Sequence, residues 1–402
     1  MPTILVADKF PDTGLDRLRD MELEVVSDPT LKDEALEAAL AESSADILVV
    51  RSTQVTASHL DASSDLSLVI RAGAGVNTID VEGAAQRGIY VANCPGKNSI
   101  AVAELAFAHL LSADRRLVDG TVDLRQGVWN KKEYSQARGV FGTTLGLLGL
   151  GRIGQEMISR ARAFGMNVVA WSRSLTPEGA EALGVHFAAS PVEAARRADA
   201  LSVHVALNDD TRHLVDAEVL AAMPDGALLI NTSRGDVVDQ QALTREVESG
   251  RLRAALDVFE GEPAVAQGSF EAGIFSLPGT QGSHHIGAST AQAQDAVAEE
   301  VLRIVRTFQS EGDVPNCVNL AESTPATHLL VVRHRDRVGA LAGVLDVLRA
   351  AAINVQEMEN IVFSGADAAS ARLRLDGAPD ATVLEQVRES SEHVLAVSLR
   401  DL

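Results

Sequence analysis

The sequence predicts an α/β protein with parallel sheets, followed by a smaller α+β unit. Short apolar strands alternate with helices over the first 100 residues, and a second, fuller alternation begins at Leu145. Such alternation is typical of parallel sheets covered by helices. From about Thr327 the order becomes β-α-β-β-α-β, which indicates a ferredoxin-like unit. The 402 residues suffice for two or three cores, because a domain usually takes about 100–200 residues.

The first alternation rests on runs of branched aliphatic residues separated by helical repeats. We expect strands at Thr3–Ala7, Leu23–Ser27, Ile47–Val50 and Leu68–Ile70, a helix at Lys32–Ala41, and an amphipathic turn or helix at Gly14–Asp20. A long helix is predicted from about Ser99 to Arg125, because Ala103, Phe107 and Leu110 share one face.

The second alternation and the tail are read in the same way. We expect strands at Leu145–Leu148, Asn167–Trp171, Ala200–Val205, Ala227–Asn231 and Ala254–Val258, with a helix at Thr290–Gln309. Residues 311–316 contain Gly and Pro and are predicted to be a linker. In the tail we expect strands at Leu329–Arg333, Ile353–Met358, Ala369–Leu375 and Val394–Leu399, and helices at Gly339–Ala352 and Asp380–Ser390.

Charge and composition argue against several classes of partner. The net charge of −21 repels phosphate backbones and anionic lipid, so neither nucleic acid nor a membrane is expected as a partner. An anionic substrate would need a local basic pocket. Two distant cysteines give no disulfide or metal pattern, and the first residues lack the pattern of a signal peptide. We therefore expect a cytoplasmic protein without a bound metal.

A glycine-rich motif predicts a dinucleotide site. Gly149-Leu-Gly151-Arg-Ile-Gly154 follows an apolar strand and opens a helix. In this motif the glycines allow a tight turn, close approach to a pyrophosphate and close packing of helix on strand. The start of the helix offers free N–H groups to the phosphates.

The end of the next strand bears on the choice of dinucleotide. An acidic residue that binds the ribose 2′-OH is usual there, but this chain has Ser172 and Arg173. Loss of a carboxylate and gain of a guanidinium favour a 2′-phosphate, as in NADP. Arg173 stacked on adenine or facing water is the alternative, so both NAD and NADP stay open.

Three later segments carry polar residues at predicted strand ends, where ligands of open α/β sheets collect. The segments are 230–235, 256–263 and 284–290. Oxidation of a secondary alcohol needs a base for the hydroxyl proton, and His suits this because its pKa lies near neutral pH. A carboxylate beside the imidazole would orient it, and an Arg can clamp a substrate carboxylate.

Written as GLGRIG, NTSRG, DVFEGEP and HIGAST, these segments resemble the D-isomer-specific 2-hydroxyacid dehydrogenases. The resemblance implies that Arg234 binds the substrate carboxylate and polarises the carbonyl, that His285 is the acid–base residue, and that Glu262 is its partner. His284 stands where the family often has Pro, and His285 directly precedes Ile-Gly, so His285 is chosen.

The resemblance also implies the cofactor contacts and the architecture. Cofactor contacts are expected from Gly149, Gly151, Arg152, Ile153, Gly154, Ser172, Arg173, Val205, Thr232, Ser233, Arg234, Asp257, His285, Gly287 and Ala288. A Rossmann-type doubly wound parallel sheet (residues 99–285) would be inserted in a flavodoxin-like substrate domain (residues 1–98 and 286–312). Residues 326–402 would form a ferredoxin-like ACT domain with a regulatory role.

Within the family the resemblance points to the phosphoglycerate dehydrogenases, which oxidise 3-phospho-D-glycerate in the first step of L-serine biosynthesis. It implies substrate contacts from Arg51, Ser52, Gly73, Ala74, Gly75, Lys131, Arg234 and His285. Lys131 would come from a neighbouring subunit of a homodimer or tetramer. Thr53 stands where some of these enzymes have a second Arg.

The tail places His334, Asp336 and Asn354 at positions that bind serine in feedback-inhibited relatives. Asp336 stands where Asn is typical, and Val338 replaces the usual Pro. An L-serine effector site and a purely structural dimerisation module are both open.

Two other functions stay open from the sequence. One is an NADP-dependent glyoxylate or hydroxypyruvate reductase, or another D-2-hydroxyacid dehydrogenase, which the Ser172-Arg173 pair favours. The other is a non-enzyme, since corepressors of this fold bind NAD(H) and act as protein scaffolds.

Overall fold

The structure, a computed structural model, describes residues 1–263, 267–271 and 273–402. These residues form two compact units, Met1–Asn319 and Leu320–Leu402. No helix among them is long and apolar enough to span a membrane.

The predicted linker at residues 311–316 is wrong, because this segment packs onto the first unit. The Asn316 side chain donates to the Asn93 carbonyl, and Val318 N–H donates to Val91 O. Asn319 Oδ1 accepts from Val91 N–H, at 2.9 Å. Because of these hydrogen bonds, the first unit extends to Asn319.

The first sheet has five parallel strands in the order β2-β1-β3-β4-β5. The strands are β1 (Thr3–Val6), β2 (Glu24–Ser27), β3 (Ile47–Val50), β4 (Leu68–Arg71) and β5 (Tyr90–Asn93), and the helices are α1 (Asp12–Arg19), α2 (Asp33–Ser43), α3 (Ala57–Asp61) and α4 (Val81–Gln86). This is the flavodoxin-like order, so the fold expected for the first region is confirmed. Strand β5 was not predicted from the sequence.

The single long helix predicted over residues 99–125 is wrong. The structure has α5 (Ser99–Arg115), α6 (Leu117–Arg125) and the short α7 (Lys131–Tyr134). Arg116 breaks the helix in a left-handed conformation with φ of 51°. The apolar stripe that buries α5 ends near Leu110, whereas α6 has no buried residue, so tertiary packing does not keep the two segments in line.

The second sheet has seven parallel strands in the order β12-β11-β10-β9-β6-β7-β8. Its strands are β6 (Thr144–Leu148), β7 (Asn167–Trp171), β8 (His186–Phe187), β9 (Ala200–Val203), β10 (Leu228–Asn231), β11 (Arg253–Leu256) and β12 (Thr280–Gly282), and its helices are α8 (Arg152–Ala163), α9 (Pro177–Ala182), α10 (Pro191–Arg196), α11 (Ala217–Ala222) and α12 (Gln240–Glu248). Counted from β6, the order is 3-2-1-4-5-6 with one further strand, which confirms the doubly wound Rossmann-type sheet.

Helix α13 (Ala291–Glu311) returns the chain to the first sheet. Its Val301, Ile304 and Val305 are buried in one core with Ile4 and Ile70. Helix α5 instead packs on the second sheet. This packing supports the discontinuous substrate domain (residues 1–98 and 286–312) and the dinucleotide domain (99–285), whose boundaries stay a prediction.

Glu300 on α13 connects this helix to neighbouring segments of the first unit. Its carboxylate, 6% exposed, accepts from Arg303 and from the Asn316 amide at 2.7 Å, and lies 3.0 Å from Lys97 Nζ. The hydrogen bonds from Arg303 are the main cause that lowers the pKa of Glu300 from 4.5 to about 2, and those from Lys97 and Asn316 add to it against the effect of burial.

Glu300→Gln is expected to lower the free energy of unfolding at pH 7 by up to about 3 kcal/mol, since each pKa unit corresponds to about 1.4 kcal/mol. A carboxyl with a lowered pKa stabilises the fold above pH 4.5, and this stabilisation is lost as the pH falls towards 2. Urea unfolding at several pH values measures the gap between variant and parent. The gap should shrink below pH 4.5, and a constant gap would contradict the assignment. Glu299→Gln, an exposed neighbour, is the matched control.

The second unit has the predicted β-α-β-β-α-β order. Its elements are β13 (His328–Arg335), α14 (Ala342–Ala350), β14 (Val355–Val362), β15 (Ala368–Leu375), α15 (Ala381–Glu389) and β16 (Val394–Asp401). The four strands form an antiparallel sheet in the order β14-β15-β13-β16. The ferredoxin-like fold is confirmed, and its regulatory role stays a prediction.

Candidate active site

The glycine-rich turn lies between β6 and α8, as predicted. Gly149 has φ of +99°, and a Cβ there would lie 2.5 Å from the His204 carbonyl oxygen. A Cβ on Gly154 would lie 2.3 Å from the Gly149 oxygen. Only glycine allows this turn and this close packing of helix on strand.

Gly151 leaves the start of α8 open. It is the N-cap of the helix with no side-chain cap, and a Cβ there would meet no atom within 4 Å. The first N–H groups of α8 are therefore available to an anion. Arg152 donates to the Pro95 carbonyl at 2.6 Å and so ties this turn to the segment before α5.

The carboxyl ends of β9, β10 and β11 lie along the same sheet edge as this turn. Val205 contacts the turn, since its Cγ1 would lie 3.0 Å from a Cβ on Gly149. The Ser233 N–H and hydroxyl both donate to Asn231 Oδ1. The Thr232 hydroxyl is buried without a hydrogen-bond partner among the described residues, which suits a polar group of a bound ligand. Ile153 packs against the core beneath.

Beyond β7 the structure places Ser172 and Arg173 where the sequence predicted them. The Arg173 side chain is 84% exposed and lies 3.8 Å from the Asp210 carboxylate. An exposed ion pair of this kind is weak, so the guanidinium is free to meet another anion.

Asp257, at the end of β11, fixes the loop that carries His285. Its carboxylate accepts from Ser283 Oγ at 2.6 Å and from the N–H groups of Ile286 and Gly287 at 2.9 Å each. Its backbone oxygen accepts from His285 N–H at 2.9 Å. His285 has φ of +51°, a conformation that non-glycine residues adopt at a cost. Asp257 accepts the hydrogen bonds that hold His285 in this conformation.

His285 and Glu262 form the predicted pair. His285 Nδ1 lies 2.7 Å from Glu262 Oε2, while Glu262 Oε1 accepts from Phe259 N–H at 2.9 Å. With the Nδ1 proton directed at the carboxylate, Nε2 of the neutral ring is the nitrogen that can accept a proton. His285 lines a cavity of about 630 Å³.

The same cavity brings together three guanidinium groups, those of Arg51, Arg71 and Arg234. Glycines let them approach, since a Cβ on Gly75 would lie 2.7 Å from Arg234 Nη2 and one on Gly73 would overlap Arg71. Burial lowers the pKa of Arg234, which the nearby Glu262 partly opposes. Burial, and then the charges of Arg234 and Arg51, lower the pKa of Arg71 to about 10.

Arg71 is a residue that the sequence analysis missed. Its Nε is buried with no hydrogen-bond partner among the described residues. A buried cation flanked by two others is costly, and an anion in the cavity would relieve that cost. The position of Arg71 at the end of β4, directly before the Gly73–Gly75 loop, is the feature of the sequence that could have identified it as a site residue. The cavity is the local basic pocket that this acidic chain needs for an anionic substrate.

The comparisons with known proteins agree with this geometry. Residues 107–287 match the family described as D-isomer specific 2-hydroxyacid dehydrogenase, NAD binding domain. Hydroxypyruvate reductase of Thermotoga maritima is 40% identical over 289 residues, which cover 70% of this chain and 89% of that protein. This chain belongs to the D-isomer-specific 2-hydroxyacid dehydrogenase family.

Two further relatives are similar to this chain over most of its length. D-3-phosphoglycerate dehydrogenase of Methanocaldococcus jannaschii is 38% identical over 329 residues, which cover 80% of this chain and only 61% of that protein. The NADPH-dependent glyoxylate/hydroxypyruvate reductase of Sinorhizobium meliloti, solved with NADP and malonate, has a TM-score of 0.67 at 30% identity, with 79% of this chain and 96% of that chain covered. The glycine-rich turn, the open start of α8 and the Thr232 hydroxyl fit the NAD or NADP of this dehydrogenase family.

Ser52, a predicted substrate contact, is tied to Asp8. The Asp8 carboxylate accepts from the N–H groups of Arg51, Ser52 and Thr53 and from the Ser52 hydroxyl. Burial acts to raise the pKa of Asp8, but these hydrogen bonds outweigh it and hold the pKa below its usual value. The Arg51 side chain, which points to Ser289 Oγ at 3.5 Å, stays available to substrate. Ala74 accepts from the Asn93 side chain through its carbonyl, and Ala288 lines the cavity.

Lys131 is not brought to this cavity. It lies on α7 and lines a separate hollow of about 480 Å³ with Arg115 and Trp129. A Lys131 contact with substrate would need a second copy of the chain, as the sequence analysis expected.

The three predicted effector residues do not form one site within a chain. His334 is 2% exposed, and its ring nitrogens lie 2.9 Å from the Arg335 oxygen and 3.0 Å from Asn360 Oδ1. The backbone N–H of Asn354 donates to Asp376 Oδ1, beside the end of β13 that begins at His328. His328 and His334 are six positions apart along β13, which corresponds to about 20 Å. Asp336 follows the His334 end, so an effector site with all three residues would require a second chain.

Proposed function

We propose that this chain is a D-2-hydroxyacid dehydrogenase that oxidises 3-phospho-D-glycerate to 3-phosphohydroxypyruvate with NAD or NADP, the first step of L-serine biosynthesis. The observation that carries the proposal is the cavity that His285, paired with Glu262, lines together with three guanidinium groups. A carboxylate and a phosphate at opposite ends of a small substrate need this many cations. A D-3-phosphoglycerate dehydrogenase among the relatives supports the choice of substrate.

The residues of the cavity divide the work of the oxidation. A bound nicotinamide dinucleotide supplies the hydride acceptor. Arg234 holds the substrate carboxylate and polarises the C2 oxygen through its fork of N–H groups. His285 Nε2 accepts the hydroxyl proton, and the Glu262 carboxylate stabilises the imidazolium that results. Arg51 and Arg71 are the two remaining cations, and they bind the substrate phosphate.

The test measures kcat/KM with each of two substrates, 3-phospho-D-glycerate and unphosphorylated D-glycerate. We expect the phosphorylated substrate to be preferred by at least about tenfold, because a charge-assisted hydrogen bond contributes roughly 1.5–3 kcal/mol. Arg71→Gln and Arg51→Gln should each reduce the preference while turnover of glycerate changes little. Equal turnover of the two substrates by the parent enzyme would exclude the phosphoglycerate assignment and leave the dehydrogenase class intact.

The second candidate is an NADP-dependent glyoxylate or hydroxypyruvate reductase. Arg173, exposed at the end of β7 with no acidic residue at position 172, favours it. A hydroxypyruvate reductase and a glyoxylate reductase are among the relatives, at 40% and 33% identity. A corepressor-like scaffold can keep the same His285–Glu262 pair, so turnover of a 2-hydroxy acid by the parent chain is the measurement that separates it from a dehydrogenase.

Ser172→Asp is expected to shift the preference from NADP towards NAD by at least about tenfold. The new carboxylate would accept from the ribose 2′-OH and repel a 2′-phosphate. Steady-state kcat/KM values with the two cofactors give the ratio. An unchanged ratio would remove the case for NADP.

We also propose a homodimer or tetramer in a cytoplasmic compartment. Helix α6 and the segment between α6 and α7 carry exposed apolar side chains, with Leu124 61% and Trp129 78% exposed, which suits a surface covered by a second copy. Such a copy could bring its Lys131 to the cavity. Cys94 and Cys317 are free thiols, as a reducing compartment permits. Serine as an effector of the second unit stays a prediction.

A further inference from the structure

A buried chain of hydrogen bonds runs from α5 to the loop that carries His285. His109, 7% exposed, places Nε2 at 2.9 Å from Ser283 Oγ. Ser283 in turn lies 2.6 Å from Asp257 Oδ1. Asp257 is the group that holds His285 in its left-handed conformation. The described geometry therefore connects His109 to the predicted acid–base residue through two side chains.

The direction of every hydrogen bond in this chain is determined. Gln281 Nε2 donates to the His109 carbonyl at 2.9 Å, and its Oε1 accepts from Ser112 Oγ at 3.0 Å, so the orientation of the amide is fixed. The same Nε2 lies 3.2 Å from His109 Nδ1, which must then be an acceptor. His109 is thus neutral with its proton on Nε2, and that proton is donated to Ser283. The single hydroxyl proton of Ser283 is left for Asp257.

This directionality has a consequence for the His285 loop. Without a donor at position 109, the Ser283 hydroxyl could turn away from Asp257 or bond elsewhere. The carboxylate would then lose a short bond and rotate more freely against the N–H groups of Ile286 and Gly287. Burial lowers the pKa of His109, which agrees with a neutral ring. A strained backbone persists only where its surroundings over-determine it, and His109 with Ser283 adds to that constraint.

We propose that His109 is a positioning residue for hydride transfer, which acts through Ser283 and Asp257 to hold the His285 imidazole towards the substrate cavity. The proposal rests on the assignment of His285 as the acid–base residue. His109 is on helix α5 and is not among the residues that line the cavity, and its side chain bonds to Ser283 and Gln281, which do not line it either.

The test uses kinetics on the full chain. His109→Leu should lower kcat about tenfold and leave the KM values of substrate and cofactor within about twofold. His109→Gln, whose amide can still donate to Ser283, should restore most of kcat. In a double-mutant cycle, adding Ser283→Ala to His109→Leu should cost little more, because both changes break the same chain. The matched control is His59→Gln, a buried histidine on α3 whose hydrogen-bond partners are Thr56 and Asp33.

A second readout does not depend on activity. Nitrogen-15 NMR of the histidine side chains should show His109 as the neutral Nε2–H form at pH 7. A charged ring, or the Nδ1–H form, would overturn the proposal even if His109→Leu did not fold.

The outcomes separate this proposal from the proposed function. If the parent enzyme is inactive, or His285→Ala stays active, the proposed function fails. If the parent is active and His285→Ala is not, but His109→Leu keeps full kcat, the positioning role alone fails. Equal loss of kcat in His109→Gln and His109→Leu would also overturn it, since the donor would then have no special effect.

Discussion

His285→Ala is expected to lower kcat by about 10²–10⁴-fold while the affinity for NAD or NADP changes little, because general acid–base catalysis contributes a factor of that size. The imidazole is held at one nitrogen by Glu262, at 2.7 Å, and its other nitrogen has no hydrogen-bond partner among the described residues of the chain. Removing the ring takes away the acceptor for the hydroxyl proton. The glycine-rich turn and the start of α8 remain unchanged. Stopped-flow kinetics and cofactor titration measure the two quantities separately.

Two companion variants sharpen this result. His285→Asn keeps a residue that tolerates a left-handed backbone, so a loss of kcat there cannot be assigned to loop strain. His284→Ala removes the neighbouring imidazole, which lines the cavity but makes no hydrogen bond to Glu262. We expect His284→Ala to change kcat far less. If His284→Ala abolished turnover and His285→Ala did not, the choice between the two histidines would be reversed.

Arg234→Lys is expected to lower kcat/KM for every accepted 2-hydroxy acid by about 10²–10³-fold, comparable to the loss of one oxyanion donor. Lysine keeps the positive charge but cannot make the two parallel bonds that a carboxylate accepts from a guanidinium. The position is tightly built, since Arg234 Nη1 donates to the Ser233 carbonyl at 2.6 Å and Gly75 leaves room for Nη2. Steady-state kinetics with 3-phospho-D-glycerate and D-glycerate provides the measurement.

The pattern of loss identifies the group that Arg234 binds. A contact with the carboxylate predicts the same fold-loss for the phosphorylated and unphosphorylated substrates, because both carry that carboxylate. A contact with the phosphate predicts a loss confined to 3-phospho-D-glycerate. The second pattern would exchange the roles of Arg234 and the Arg51–Arg71 pair.

Most of the fold could be read from the sequence because the signals are local. The apolar strand before Gly149, the strand that ends at Asn231 and the order of elements in the tail were all predicted where the structure has them. Two of the errors share one cause. The helix breaks at Arg116 and the first unit continues to Asn319 because of contacts, or missing contacts, with residues far away in the chain. Strand β5 was missed for another reason: its sequence, Tyr-Val-Ala-Asn, has fewer branched aliphatic residues than β1 to β4, so its strand pattern is weaker.

By itself, the sequence determined the chemistry that the chain can offer: the glycine turn, the guanidinium of Arg234, and the imidazole and carboxylate of His285 and Glu262. Residue types at short spacings carry that information, since turns and strand ends follow from local backbone preference. Only the tertiary structure decided which groups share a cavity. It added Arg71, tied Ser52 to Asp8, kept Lys131 and Asn354 apart from their predicted partners, and joined His109 to the His285 loop. Burial and hydrogen-bond direction depend on atoms that are distant in the chain, 44 residues apart for Ser52 and Asp8 and 174 for His109 and Ser283, and no local pattern encodes them.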